Sequence, residues 1–187
     1  MPRSLETELA ERRAALASSP VLAQLAARLE RLLGGLVAGA VFVPADKALL
    51  SRDGGVCPTD GARLPFDPDS PFEHRCSRCG ALVSGRRHHR AWVARYQLWL
   101  SERVVHLALL GALLEKPHLS ARAAEILVLL AERYRHYPNE DNVLGPTRPF
   151  FSTYLESIWL TQLGIALSLL DASAPDFASL LPASPLG

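Results

Sequence analysis

The apolar positions of the chain fall into two helical regions, separated by a stretch with no long period. "LETELAERRAALAS" reads as a first helix, with Ser4 at the N-cap position. Glu6 and Glu8 lie in or near its first turn, where acids suit the helix dipole. Thr7 stands where a capping box would carry an acid, so the box is incomplete. Ser19-Pro20 restarts the pattern, proline being suited to the first helical position. Leu22, Leu25, Leu29, Leu32 and Leu33 keep helical spacing up to Gly34-Gly35, which predicts the end of the second helix there. "AVFVPADKAL" follows as a short extended link.

Residues 51–87 change character: glycine, proline and aspartate are frequent and long periodic segments vanish. The short pieces "RLPF" and "ALVSG" predict small strands. From Arg90 the helical period returns. "RAWVARYQLWLSERVVHLALLGALLEK" predicts one long helix ended near Pro117, and Ser120 is the expected cap of the next, "ARAAEILVLLAERYRHY", ended before Pro138. After the loop "PNEDNVLGPTRPF", Thr153 and Glu156 read as a capping-box pair for "YLESIWLTQLGIALSLLDA". That helix is apolar almost all round, which predicts burial on most sides. The chain thus divides into an N-terminal helical arm and link (1–50), an insert (51–87) and a helical part (88–187). Three helices in antiparallel succession predict a mainly α fold of stacked helical hairpins.

With 187 residues, 49% hydrophobic and 21% charged, the chain is long and apolar enough to bury a real core. Its net charge of +1 does not argue for nucleic acid, a membrane surface or an acidic partner. "MPRSLETELAERR" is charged and reads as no signal peptide. "VVHLALLGALL" and "IWLTQLGIALSLL" are shorter than the about 20 residues a bilayer span takes, so no membrane span is expected.

All three cysteines lie within one 23-residue window, an arrangement that suits a metal better than disulfides. "CSRCG" is a Cys-x-x-Cys turn followed by glycine, and "CPTDG" repeats its frame with Asp60 in the second ligand position. Fifteen residues separate the halves, a normal zinc-ribbon spacing. The expected ligands of a structural zinc are therefore Cys57, Cys76, Cys79 and Asp60, with His74 as the competitor for the fourth seat. An insert this poor in apolar residues needs such a staple.

Arg75, Arg78, Arg86, Arg87 and Arg90 crowd together with no acid among them; with Trp92 they form a candidate nucleic-acid patch, or a solvated face. His88 and His89 are adjacent and would point about 100° apart on a helix, a poor metal pair. "YRHYPNEDNVLGPTRPFFSTYLESIWL" collects amides, carboxylates, arginine and aromatics, a set suited to sugar hydroxyls and apolar sugar faces. Within it, Glu156 also serves as a helix cap, Trp159 as core, and Asn139 and Asn142 as turn residues. No phosphate loop, no His-x-x-x-His pair and no nucleophile motif is present.

"CPTDGARLPFDPDSPFEHRCSRCG" and the helices "RAWVARYQLWLSERVVHLALLGALLEK", "ARAAEILVLLAERYRHYP" and "GPTRPFFSTYLESIWLTQLGIALSLLD" together resemble the N-terminal region of heparinase II/III-like polysaccharide lyases. The resemblance covers roughly residues 45 to 172 and rests on order and spacing. It includes the "AW" entry to a long helix, the "AERY…YP" helix end, and an F-x-[ST]-x-x-E-x-x-W start to a buried helix, here Phe151, Thr153, Glu156 and Trp159. The family's first knuckle often reads Cys-Pro-x-His-Gly, which supports position 60 as a ligand. The resemblance implies a partial (α/α) toroid, a cleft for anionic polysaccharide, and β-elimination on uronates. Asn142, Arg148, Glu156 and Trp159 are the expected cleft residues: Arg148 pairing with a carboxylate or sulfate, Trp159 supporting the wall, Glu156 capping or orienting. The family's catalytic Asn or His, Tyr and His fall after the last helix here, and none maps onto this chain. The implied chain is an N-terminal segment, inactive alone, that leaves apolar faces for the C-terminal part of a lyase or for self-association. Such lyases are often periplasmic or secreted. A zinc-ribbon nucleic-acid module and a structural helical adaptor are the alternatives.

Overall fold

A computed structural model of the chain describes residues 4–50 and 54–173. It is mainly helical. The described elements are α1 (Leu5–Ser18), α2 (Pro20–Ala38), β1 (Glu73–Arg75), β2 (Leu82–Ser84), α3 (Arg86–Leu114), α4 (Pro117–Tyr134) and α5 (Thr153–Ser173). The chain splits into two compact units: Met1–Val43 with Ser101–Ala131 and Thr161–Gly187, and Pro44–Leu100 with Glu132–Leu160.

In the first unit, Ser4 caps α1 by accepting from Thr7 N–H at 3.2 Å. Ser19 accepts from Leu22 N–H at 3.4 Å, ahead of Pro20. Contrary to the expected stop at Gly34-Gly35, α2 runs on to Ala38. The reason is tertiary. Arg122 of α4 donates to Leu36 O at 2.7 Å and to Gly39 O, satisfying carbonyls at the helix end. That anchoring offsets the roughly 1 kcal/mol that each interior glycine costs.

Between α3 and α4 the chain reverses through Glu115 (φ 53°) and Lys116, whose N–H donates to Gly111 O at 3.0 Å. Helix α4 begins at Pro117, so Ser120 is not its cap; it lies buried within the helix. It packs there because Gly111 of α3 has no side chain. A Cβ at Gly111 would stand 2.3 Å from Ser120 Oγ and 2.9 Å from Ser120 N. Ser101 of α3 donates to Gln162 of α5, and Arg13 Nε of α1 donates to Ala112 O at 2.8 Å.

In the second unit, β1 and β2 pair antiparallel with His74 opposite Val83, and Val56 bridges Arg63. Beyond Arg63 the "RLPF" stretch forms no strand, while "EHR" does. Among its described residues, the insert buries Cys57, Leu64, Cys76 and Val83 as a core of its own. It is held to α3, which starts at Arg86 rather than Arg90, by a series of side-chain donors to insert carbonyls. His88 Nδ1 reaches Gly54 O at 2.8 Å and His89 Nδ1 reaches Pro71 O at 2.7 Å. Trp92 Nε1 reaches Asp67 O at 2.7 Å, and Arg95 Nη1 reaches Leu64 O at 3.0 Å. Phe72, His89, Trp92 and Tyr96 stack in succession at centroid distances of 4.8, 5.9 and 4.4 Å.

Helix α5 is capped by Ser152, whose Oγ accepts from Leu155 N–H at 3.4 Å, and not by the expected Thr153–Glu156 box. Glu156 is drawn elsewhere, as described below. Nor is α5 buried on most sides: Tyr154, Leu160, Ile165 and Leu167 are exposed. Of the described helices, α3 alone has the length and apolarity of a membrane span, and half of its most apolar stretch is buried in the protein.

Candidate metal centre and the 138–148 loop

Residues 57–81 fold into the same turn twice. Cys57 N–H donates to Ala62 O at 2.8 Å, as Cys76 N–H donates to Ala81 O at 2.9 Å. Gly61 N–H donates to Cys57 O at 2.9 Å, as Gly80 N–H donates to Cys76 O at 3.0 Å. Both glycines are left-handed, with φ of 69° and 75°. Cys57 thus matches Cys76, and Asp60 matches Cys79.

The two turns face each other. Cys57 Sγ lies 3.6 Å from Cys79 Sγ, and Cys76 Sγ lies 3.7 and 3.6 Å from the two oxygens of Asp60. All four donor atoms fall within 4.8 Å of one another. A tetrahedral ion with thiolates at about 2.3 Å and a carboxylate at about 2.0 Å sets S···S and S···O edges of roughly 3.8 and 3.5 Å. The residues fit such an ion. Asp60 Oδ1 also accepts from Ala62 N–H at 2.9 Å, which orients the carboxylate and leaves Oδ2 for a metal. Arg78 N–H points at Cys76 Sγ at 3.4 Å.

Electrostatics agree with the geometry. Burial pushes the Cys57 thiol up, but the Thr59 and Asp60 N–H groups outweigh it and hold it below its ordinary value. The Ala62 N–H holds Asp60 below the usual carboxylate range. Cys79 is pushed up to about 11. The Ala81 N–H works against this, and burial with hydrogen bonds to Cys57, Cys76 and Asp60 prevails. Metal binding takes these thiols as thiolates and releases their protons.

His74, the competing ligand, stands outside the four. It is buried on β1 with no hydrogen-bond partner for Nε2 among the described residues, facing a cavity of about 20 Å³ shared with His88, Trp92 and Arg95. Burial, then His88, His89 and Arg95, hold its pKa below the usual value. Of the arginine cluster, Arg90 is buried and pairs with Asp141 at 3.0 Å. Arg75, Arg78, Arg86 and Arg87 are exposed.

Of the four expected cleft residues, Glu156 meets Arg148 directly, while Trp159 and Asn142 have partners of their own. Glu156 Oε1 accepts from Tyr134 O–H at 2.7 Å, and Oε2 accepts from Arg148 N–H at 2.8 Å. Trp159 is buried between Tyr134 (6.1 Å, stacked) and Phe150 (6.3 Å, edge-on), and its Nε1 has no partner among the described residues. Arg148 is exposed, with Nη1 donating to Tyr137 O at 2.9 Å. Asn142 is exposed too, yet its amide is committed: Oδ1 accepts from Lys47 and Nδ2 donates to Asn139 Oδ1 at 2.8 Å.

Lys47 is the residue that the sequence reading missed. It is 3% exposed and organises this loop from within. A signal existed: it is one of only two lysines, the other being Lys116, against eighteen arginines. Tyr137, which lies in the stretch singled out from the sequence, is buried as well; its O–H donates to Pro44 O at 2.6 Å and accepts from Gln97. Comparison of the chain with protein-family models, curated proteins and solved structures found no match.

Proposed function

We propose that this chain is the N-terminal toroid segment of a heparinase II/III-like polysaccharide lyase, stapled by one structural zinc ion and without eliminase chemistry of its own. The observation that carries the reading is the Tyr134–Glu156–Arg148 joint. It ties the "AERY…YP" helix end to the F-x-[ST]-x-x-E-x-x-W helix start, two stretches on which the resemblance rests. Glu156 and Trp159 stand behind the surface as supports. Arg148 and Asn142 stand on it, and the Arg148 guanidinium retains donors for a carboxylate or sulfate. The exposed apolar residues of α5 suit cover by a further part of a lyase or by a second copy.

Zinc is the metal a Cys3Asp donor set in tetrahedral proximity favours. Its role is structural: the ligands come from two turns of a core-poor insert, and zinc supplies the fixed charge that holds three thiolates and a carboxylate together. A nucleic-acid module draws less support, because Arg90 is withdrawn into the interior.

The test is binding of a uronate oligosaccharide to the purified chain, followed by titration calorimetry. Binding is expected for the uronate and not for a neutral glucan, with Arg148→Ala weakening it several-fold while circular dichroism stays unchanged. Equal behaviour toward both sugars removes the reading. Eliminase assays on uronate polysaccharides are expected to show no unsaturated product; robust turnover would place the chemistry within these residues and overturn that part.

A further inference from the structure

Lys47 Nζ has four oxygen neighbours. Glu140 O lies at 2.5 Å, Asn142 Oδ1 at 2.7 Å, Thr147 O at 2.9 Å and Pro138 O at 3.3 Å. An ammonium has three protons, and the three short contacts account for them; the fourth carbonyl closes the shell. None of these partners is a carboxylate. Asp141, which follows Glu140 in the turn, is engaged by Arg90 at 3.0 Å, and Arg90 Nε also donates to Lys47 O at 2.7 Å.

Three main-chain carbonyls and an amide oxygen around one cation form the kind of shell that replaces the hydration of a monovalent ion. The distances are mostly longer than the 2.3–2.6 Å that calcium takes, and the shell brings no formal negative charge. The loop is otherwise demanding. Asp141 has a positive φ of 56° and Gly145 one of 67°. The carbonyls of 138, 140 and 147 converge, an arrangement that repels itself unless a positive charge sits at the focus. A guanidinium is planar and forked and does not fit a compact focus of this kind, which explains a lysine here in an arginine-rich chain.

We infer that Lys47 is a tethered monovalent cation: its ammonium fills a carbonyl-lined seat that organises the 138–147 turn, and the same seat, vacated by substitution, takes ammonium or potassium ion. Burial pushes the Lys47 ammonium below its ordinary pKa, while Glu156, Asp141 and Glu140 oppose that at a distance. The inference concerns the loop itself and holds independently of the polysaccharide reading.

The experiment compares thermal melts of the wild-type chain, Lys47→Ala and Lys47→Met in choline, ammonium and potassium chloride at equal ionic strength. Lys47→Ala is expected to melt lower than wild type in choline and to recover part of the loss in ammonium or potassium, while wild type does not respond. Lys47→Met fills the space of the stem, is expected to be destabilised, and is not rescued. A folded Lys47→Ala with no ion-specific recovery, or a Lys47→Met as stable as wild type, overturns the inference. If Lys47→Ala does not fold, nitrogen-15 spectra of the unaltered chain decide. A slowly exchanging Lys47 ammonium with couplings across its hydrogen bonds to the carbonyl carbons of Glu140 and Thr147 is expected, and a freely exchanging one overturns it.

Discussion

Asp60 stands in the Cys57 turn where Cys79 stands in the Cys76 turn, and its carboxylate oxygens lie 3.6 and 3.7 Å from Cys76 Sγ. The backbone of the two turns is the same, so the fourth seat is set by the fold and its occupant by one side chain. The chain is expected to carry close to one zinc per molecule by elemental analysis. Cys76→Ser is expected to lose it, with affinity falling roughly 100-fold or more, since even partners of the ligands are worth 10–100-fold. Asp60→Cys, which completes the repeat with a softer ligand, is expected to bind tighter in chelator competition. Metal-free wild-type protein that keeps the insert's amide protection would contradict the staple, because the described residues of the insert bury a core of only four of their own.

A pair of glycines on the first unit's helices makes opposite predictions. A Cβ at Gly111 meets backbone N and Oγ of Ser120, so Gly111→Ala forces α3 and α4 apart and is expected to cost about 1–3 kcal/mol. A Cβ at Gly34 meets nothing within 4 Å, and the position is an ordinary helix interior. Gly34→Ala is therefore expected to stabilise by up to about 1 kcal/mol. Urea unfolding of the two variants, with the midpoint moving down for the first and up for the second, checks the pair.

These two glycine positions also show how far the sequence could be read. Helix existence was plain, because leucines at helical spacing leave few alternatives, and Ser4 and Ser19 both cap as their neighbours demand. The end of α2 was not, because it depends on Arg122, which lies more than eighty residues away in sequence. The start of α4 and the cap of α5 failed for a related reason: Ser120 and Glu156 are residues with good local roles that tertiary partners claim instead. The gathering of Cys57, Asp60, Cys76 and Cys79 was legible because its spacing is local and repeated. Lys47 was not, since its partners at Pro138, Glu140, Asn142 and Thr147 lie some ninety to one hundred residues on.

Glu156 joins a helix end to a helix start through two donors, and its loss is expected to be felt at both. Glu156→Ala leaves the Arg148 N–H and the Tyr134 hydroxyl without their carboxylate, an expected cost of about 1–3 kcal/mol for the stranded donor alone. Tyr134→Phe removes one hydrogen bond to a charged acceptor and keeps the ring on Trp159, an expected loss of about 1.5–3 kcal/mol. The double variant is expected to lose less than the sum of the two, because the shared bond is counted once. Denaturant titration of the four proteins measures that coupling, and strict additivity would mean that the bond contributes nothing.

Three of the four tyrosines, Tyr96, Tyr134 and Tyr137, have their pKa raised in the folded second unit. Burial, then Glu156, pushes Tyr134 up to about 12; burial, then Asp69, pushes Tyr96 up to about 12; and burial raises Tyr137, against the opposing hydrogen bond from Gln97. In the unfolded chain a tyrosine loses its proton near pH 10. Between about pH 10 and 12 the folded chain therefore binds more protons than the unfolded one, and stability falls as pH rises through that window. The full contribution is present below pH 10. Tyrosinate absorbance at pH 11 is expected to stay well below that of the chain in denaturant, and the urea midpoint to fall steadily from pH 10 upward. Tyr134→Phe is expected to flatten part of that slope, because the proton it removes is one of those the folded state retains; an unchanged slope would show that Tyr134 titrates alike in both states.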